Sequence, residues 1–471
     1  NGVMVTNTWV KVVNEDQDDE DDPAEYHYYY MQSNGKAYKD KSTNGSLTKK
    51  VIDGKRYAFD EDGKMLYGWV AEDGDMCNGE DEWENATYYF GSWEDGSMKT
   101  GWQKITVHDS DNDKDDDYDY WFNFKSNGKK RFNESDSKDI FEKKINGKHY
   151  AFDNRGVMTY EWTLTTTSDA ATISNWLYFN SPEDGARSTK GWFKVVAPDA
   201  DGDDNTFKDY GTGSTFAKGD AEDENERWYY ADSDGELYVG QIKKIKGKYY
   251  GFAPEGNKAG SMLTGLCALT VDKDGNIVKL WDRDMDSDSL DDALKGEGDF
   301  KDFGKSSFDT LYYFGNNEDS DGALKTGNVT INLDGDSYQF QFSKTGGAEG
   351  KGRGVNGIDD GKYIYKFGQK IKAGSDDKYI VVYADGDTGS TGVNVHKIDT
   401  ATLRSDYSAS IGQNKDGDSV NYVGTLGELA SGKLTSNYYL VNTSGAIVKN
   451  KTAAKDGNDW YFYVDEKVIK M

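Results

Sequence analysis

The stretch "DGKRYAFDEDGKM" occupies residues 53–65, and "NGKHYAFDNRGVM" occupies 146–158. Gly54 and Gly147 stand 93 residues apart, as do Tyr57 and Tyr150, Gly63 and Gly156, and Met65 and Met158. The echo extends outward. "SNGK" at 33–36 returns at 126–129, and Trp9 returns as Trp102. Later copies drift: "IKGKYYGFAPEGNKAGSM" at 245–262, "IDDGKYIYKFGQKI" at 358–371 and "AKDGNDWYFYV" at 454–464. Self-similarity at a fixed period is the signature of a repeat architecture, in which each unit buries its apolar face only against its neighbours.

Within the phrase, Tyr57 and Phe59 are two residues apart, and so are Met65, Tyr67 and Trp69. Period two places alternate side chains on one face of a strand. Asp53-Gly54, Asn146-Gly147 and the Asp62-Gly63 pair supply the positive φ that tight hairpin turns need. The pattern is a succession of short strands separated by glycine turns, an all-β chain. A lone hairpin is marginal in water, so the hairpins are expected to stack and the Tyr and Phe of the phrase to form the core. The Trp residues at unit boundaries are the better candidates for a groove.

A second phrase lies between the copies. It reads "YYFGSWEDGSMKTGW" at 88–102, "LYFNSPEDGARSTKGW" at 177–192, "YYFGNNEDSDGALKTGN" at 312–328 and, weakly, "VVYADGDTGSTGVNV" at 381–395. Four segments are expected: hairpin repeats over 1–105 and over 106–195, degenerate repeats with longer insertions over 196–331, and divergent β-rich repeats over 332–471. The opening "NGVMVTNTWVKVV" aligns with "DGSMKTGWQKITV" at 95–107, so the chain is expected to start inside a repeat of a longer polypeptide.

The 471 residues include 54 Gly, 4 Pro, 33 Tyr, 20 Phe and 12 Trp. Aromatic residues on this scale can bury a core even where aliphatic content is low. The formal charge of −29 repels nucleic acid and anionic lipid, and no run approaches the ~20 apolar residues of a membrane span. Neither partner is expected. Two cysteines, Cys77 and Cys267, exclude a local disulfide framework.

Acidic insertions recur: "NEDQDDEDDPAE" at 14–25, "HDSDNDKDDDYD" at 108–119, "APDADGDDNTF" at 197–207 and "DRDMDSDSLDD" at 282–292. Alternating carboxylates at Asp109, Asp111 and Asp113, and at Asp199, Asp201 and Asp203, can gather oxygens around Ca2+, which takes 6–8 of them. No insertion carries the full twelve-residue EF-hand spacing. Solvated acidic loops that blunt sheet edges are the other reading. Ca2+ is thus the one candidate cofactor.

No catalytic motif stands out. The four His are scattered, and "GEGDFKDFGKSS" at 296–307 encloses five residues between Gly298 and Gly304, where a P-loop needs four. The chain reads as non-enzymatic.

"YYFGSWEDGSMKTGW" resembles the cell-wall-binding repeat of the choline-binding or glucan-binding type. The match runs through Tyr88, Tyr89, Phe90, Asp95, Gly96, Met98, Thr100, Gly101 and Trp102, and is good at Trp176, Tyr178, Trp192 and Trp228. "DGKRYAFDEDGKMLYGW" is similar to the form common in clostridial toxins and surface proteins. The resemblance covers most of 1–330. It implies a β-solenoid of stacked hairpins, secreted to the cell wall or cell surface of a Gram-positive bacterium, with aromatic grooves between hairpins. Such grooves hold a quaternary ammonium by π faces or stack on sugar rings. The implied ligand-binding residues are Trp69, Trp83, Tyr88, Tyr89, Met98, Trp102, Trp121, Trp162, Trp176, Tyr178, Trp192 and Trp228. The implied partner is a wall polymer or glycan. Two alternatives stay open: a self-assembling fibre, stalk or surface layer, and the receptor-binding region of a toxin or adhesin.

Overall fold

The computed structural model describes the chain except residues 1, 17–21, 41–44, 111–115, 136, 137, 139, 167–171, 199–225, 256, 257, 347–349, 399–432, 435, 436, 456, 458–460, 466, 467 and 471. The described residues are mostly short antiparallel strands, and they hold one α-helix and no closed barrel. They divide into two compact units, Asn1–Asn225 with Ala231–Leu237, and Glu226–Tyr230 with Tyr238–Met471.

The turns of the phrase form as the dipeptides require. Asp53 and Gly54 take φ of 48° and 82°, and Asn146 and Gly147 take 50° and 88°. Two consecutive positive φ values define the two-residue turn whose twist matches the strands it joins. Ile52 therefore faces Lys55, and Ile145 faces Lys148.

Unit one is a row of two-stranded hairpins. They are Thr8–Val13 with Tyr26–Met31, Lys50–Ile52 with Lys55–Tyr57, Trp69–Val70 with Tyr88–Tyr89, Gly101–Asp109 with Asp116–Phe124, Phe141–Ile145 with Lys148–Phe152, and Glu161–Leu164 with Trp176–Phe179. After each hairpin the chain bends through a glycine turn, and the next residue reaches back. Met65 N–H donates to Tyr28 O (2.8 Å), Met98 to Arg56 O (2.8 Å), Lys130 to Thr87 O (2.7 Å), Met158 to Trp121 O (2.9 Å) and Arg187 to His149 O (2.8 Å). One rule thus links each hairpin to the one before it.

Side chains repeat the rule. A Cβ on Gly96 would lie 2.2 Å from Met65 Cε, and one on Gly128 would lie 2.3 Å from Met98 Sδ. Both glycines also have positive φ, 57° and 84°. Glycine is needed twice over, for the backbone and for the side chain seated on it. Met158 covers Gly185 in the same way, and Lys130 covers Gly156.

The core clusters span adjacent hairpins. Ile52, Tyr57, Phe59 and Met65 pack with Trp9, Tyr28, Tyr30 and Tyr38. Leu47, Ala58, Leu66, Val70, Tyr88 and Phe90 form another cluster. Each large side chain buried in this way contributes about 1.5–3 kcal/mol, which no single hairpin could gather alone.

Unit two begins with Gln241–Ile245 paired to Lys248–Phe252, again through a Lys246-Gly247 turn. Its sheets then widen. Leu266–Val271 pairs on both sides, with Ile277–Asp282 and Asp309–Tyr313. Gly327–Leu333 and Asp336–Phe342 start a five-stranded sheet. The helix, Ser287–Lys295, begins within the acidic stretch 282–292 and ends three residues beyond it. Asp286 caps it by accepting from Ser289 N–H (2.8 Å), and Gly296 ends it at φ 73°. These are ordinary start and stop signals, hidden in the sequence by the acidic run around them. No described helix is long and apolar enough to cross a membrane.

Candidate aromatic sites

The 93-residue echo survives as geometry. Trp9 meets Tyr57 edge-on at 4.9 Å between ring centroids and lies over Phe59 at 5.8 Å, 25° between planes. Trp102 meets Tyr150 at 4.8 Å and Phe152 at 5.7 Å, 30° between planes. In each corner the tryptophan belongs to one hairpin and the other two rings to the next. Trp9 and Trp102 are half-buried, so each keeps part of its ring in solvent. Trp121 adds a second half-buried indole 6.4 Å from Trp102. Its Nε1 donates to Glu183 Oε2 (3.2 Å), and the same carboxylate meets Lys104 Nζ (2.8 Å). This corner therefore combines two partly accessible indoles with charged groups at its rim.

A second aromatic centre lies one hairpin away. Trp69 packs on Tyr89 (4.9 Å), Phe122 (5.0 Å) and Trp83 (6.3 Å). Trp83 Nε1 donates to His108 O (2.7 Å). Both indoles are buried, yet they line a pocket of about 380 Å³ with Asn78, Glu80, Thr106 and His108. Glu80 Oε1 stands 3.1 Å from His108 Nε2 at this pocket.

Beside these rings is a buried ionic group that the sequence reading missed. Lys130 is 2% exposed, and its ammonium donates to Trp83 O and Glu84 O, both at 2.9 Å. It stands 5.4 Å from the Trp69 ring and 6.0 Å from that of Trp83. Arg155 bridges Asp109 Oδ1 (3.1 Å), Glu84 Oε1 (3.3 Å) and Asp153 Oδ2 (3.3 Å), and lies 5.4 Å over the Trp83 ring. Tyr120 donates to Asp109 Oδ2 (2.5 Å). Burial pushes Lys130 down to about 8, against the opposing pull of Asp153 and Glu84. Burial likewise raises the Asp153 carboxyl, opposed by Arg155. The signal in the sequence was a cation at a position where neighbouring hairpins carry methionine.

The remaining expected residues fall into two groups. Tyr88, Trp162 and Trp176 are 1%, 0% and 0% exposed; they belong to the core and offer no ring face to a ligand. Trp162 Nε1 is held by Val196 O at 2.7 Å. Tyr89, Met98, Tyr178, Trp192 and Trp228 are half-buried. Tyr178 stacks on Phe193 at 4.8 Å, and Trp228 Nε1 donates to Asp319 Oδ1 (3.0 Å). Met98 is half-buried because its sulfur end sits over Gly128.

Of the carboxylates named for Ca2+, Asp109 is fully buried and engaged with Arg155 and Tyr120. Asp111, Asp113, Asp199, Asp201 and Asp203 lie outside the described residues. Among the described residues no cluster of His, Cys, Asp and Glu is arranged to hold a metal ion.

A further cleft, of about 830 Å³, lies elsewhere in unit one. Phe132 and Phe141, both partly exposed, line it with Arg131, Asn133, Glu142 and Arg187. Neither phenylalanine has an aromatic counterpart in the first copy, where Lys39 and Thr48 stand 93 residues earlier.

No family model and no curated protein matches the chain. Solved structures do resemble it. The modular autolysin LytC from Streptococcus pneumoniae is 16% identical over 75% of this chain and 52% of its own, with a TM-score of 0.33. CbpJ from Streptococcus pneumoniae TIGR4 is 18% identical over 77% of this chain and 100% of its own, TM-score 0.26. Choline binding protein F from Streptococcus pneumoniae, solved in the presence of a peptidoglycan analogue, is 19% identical over 70% of this chain and 100% of its own, TM-score 0.25. The chain spans about half the length of the autolysin it matches. Choline binding protein F is by name of the class that the sequence motifs resemble. Likeness of this degree assigns no ligand and no activity to the chain.

Proposed function

We propose that the chain is a non-catalytic, extracellular repeat region that binds a bacterial wall polymer or other glycan, with its hairpins stacked as a β-solenoid. The observation that carries this reading is the pair of aromatic corners around Trp9 and Trp102. The two agree in ring distances and angles across 93 residues, and each is built from two consecutive hairpins with a half-buried indole. A flat, partly wet indole held rigid by neighbouring rings is a surface on which a sugar ring or a quaternary ammonium can rest. At the Trp102 corner, Trp121, Glu183 and Lys104 provide hydrogen-bonding groups at the rim for hydroxyl or charged substituents. The strongly negative chain favours neutral or cationic ligands over anionic ones.

The test is sedimentation of the chain with purified Gram-positive walls, wall teichoic acid and insoluble glucans, at low salt and with Ca2+ present. Binding to at least one polymer is expected, weakened by Trp102→Ala. Failure to bind any of them, or binding that Trp102→Ala and Trp9→Ala together leave unchanged, refutes it.

A further inference from the structure

Gly327–Leu333 forms one margin of the five-stranded sheet in unit two, and among the described residues its only strand partner is Asp336–Phe342. The Asp334-Gly335 turn between them has two positive φ values, 51° and 93°. Leu333 and Asp336 flank this two-residue turn, so they exchange hydrogen bonds, as do Ile331 with Tyr338 and Val329 with Phe340. The backbone N–H and C=O groups of Asn328, Thr330 and Asn332 then point away from the hairpin, and among the described residues nothing pairs with them. We propose that this edge pairs with the same edge of a second copy of the chain, antiparallel about a two-fold axis at Thr330, so that two five-stranded sheets become one.

The strand is undefended where its relatives are guarded. Earlier copies carry lysine at its fourth position, as Lys11, Lys104 and Lys194, and tryptophan at its second, as Trp9, Trp102 and Trp192. Here Thr330 and Asn328 stand in those places. A lysine on an exposed edge is a common guard against strand addition. Every residue of Gly327–Leu333 is uncharged, in a chain where 30% of residues are charged. The strand is also complementary to itself. Turned about Thr330, Asn328 faces Asn332 of the partner copy, and all three exposed side chains meet uncharged neighbours. On the core face Val329 meets Ile331, a β-branched pair that extends the apolar layer under the sheet. The ends complement each other too. Lys344 lies against Gly327, with Lys325 beside it, whereas Asp334 stands at the turn. Lys325 also pairs with Asp321 of its own chain. Antiparallel pairing sets the basic end of each copy against the acidic end of the other, and the same patch serves both partners.

The pairing uses no residue of the aromatic corners, so it and wall binding can fail separately. Sedimentation velocity on the full chain, over a range of concentrations in about 0.15 M NaCl, which screens the repulsion between two acidic chains, is the test. The mass is expected to rise with concentration toward twice that of one chain. Thr330→Lys restores the residue of the earlier copies and sets two ammonium groups face to face, so it should raise the dissociation constant about tenfold or more. A cross-link gives an independent readout. Paired Thr330 residues would place their Cα atoms about 5.5 Å apart, within disulfide reach. In a Cys77→Ser background, Thr330→Cys should therefore form a linked dimer on mild oxidation, and Ser337→Cys, one strand further in, should not. A monomer at every concentration, a dimer that Thr330→Lys leaves intact, or equal linkage through Ser337→Cys would overturn the proposal.

Discussion

Lys130→Met is the substitution whose consequence can be worked furthest. In the folded chain Lys130 loses its proton at about 8, against 10.5 for an ordinary lysine. At 1.36 kcal/mol per pH unit this gap corresponds to about 3 kcal/mol. Its sign follows from proton counting. Below pH 8 both states carry the proton, and the folded state bears the full cost of a buried charge. Between pH 8 and 10.5 the unfolded chain keeps the proton and the folded chain has released it, so stability rises with pH. The groups around the ammonium are Asp153, Glu84 and Cys77, which favour its charge, and Arg155, which opposes it. Other groups bend the total curve the opposite way: burial raises Tyr89 and Tyr120, as well as Cys77, so these acids hold their protons longer in the folded state. The difference between the unmodified chain and K130M isolates the lysine. At pH 7, K130M forfeits two N–H···O bonds at about 1 kcal/mol each but escapes the buried charge, and the two variants should be close in stability. Urea unfolding at pH 7, 8, 9 and 10, followed by tryptophan emission, is then expected to show the unmodified chain gaining about 2–3 kcal/mol on K130M. Parallel curves, or a difference that falls as pH rises, would refute the placement of the ammonium among these rings.

Gly128→Ala puts a methyl group where Met98 Sδ now sits and imposes a strained φ, so a loss of more than about 1 kcal/mol in urea unfolding is expected, with Met98→Ala relieving the clash but not the backbone term. Trp162→Ala, which empties a fully buried site, should cost about 3–5 kcal/mol, whereas the half-buried Trp102→Ala should cost less and act chiefly on polymer sedimentation. Reversal of that order would show that the Trp102 corner is core and not surface.

Much of the local structure was legible before any coordinates. Asp53-Gly54 and Asn146-Gly147 announce two-residue turns because few residues other than glycine, asparagine and aspartate accept positive φ readily. Tyr57, Phe59 and Phe152 alternate and are buried, as alternation on a half-buried strand requires. The candidate site was legible only in part. Trp69, Trp102 and Trp162 read alike, each standing four residues after a methionine, but Trp102 is half-buried while Trp69 and Trp162 are buried. What separates them is the neighbouring hairpin, and it is invisible in a window of fifteen residues. The Ser287–Lys295 helix went unseen for a related reason: its capping aspartate was one of many in an acidic run.

Alternation and turn chemistry depend on a residue and its nearest neighbours, so the sequence by itself determined the hairpins, their turns and the 93-residue period. Which rings are wet, and that Lys130 rests between two indoles, depend on side chains brought together from positions 47 and 61 residues apart, Trp83 and Trp69 in one hairpin and Lys130 after the next. Burial and charge pairing are properties of that contact and not of either segment alone, and only the tertiary structure decided them.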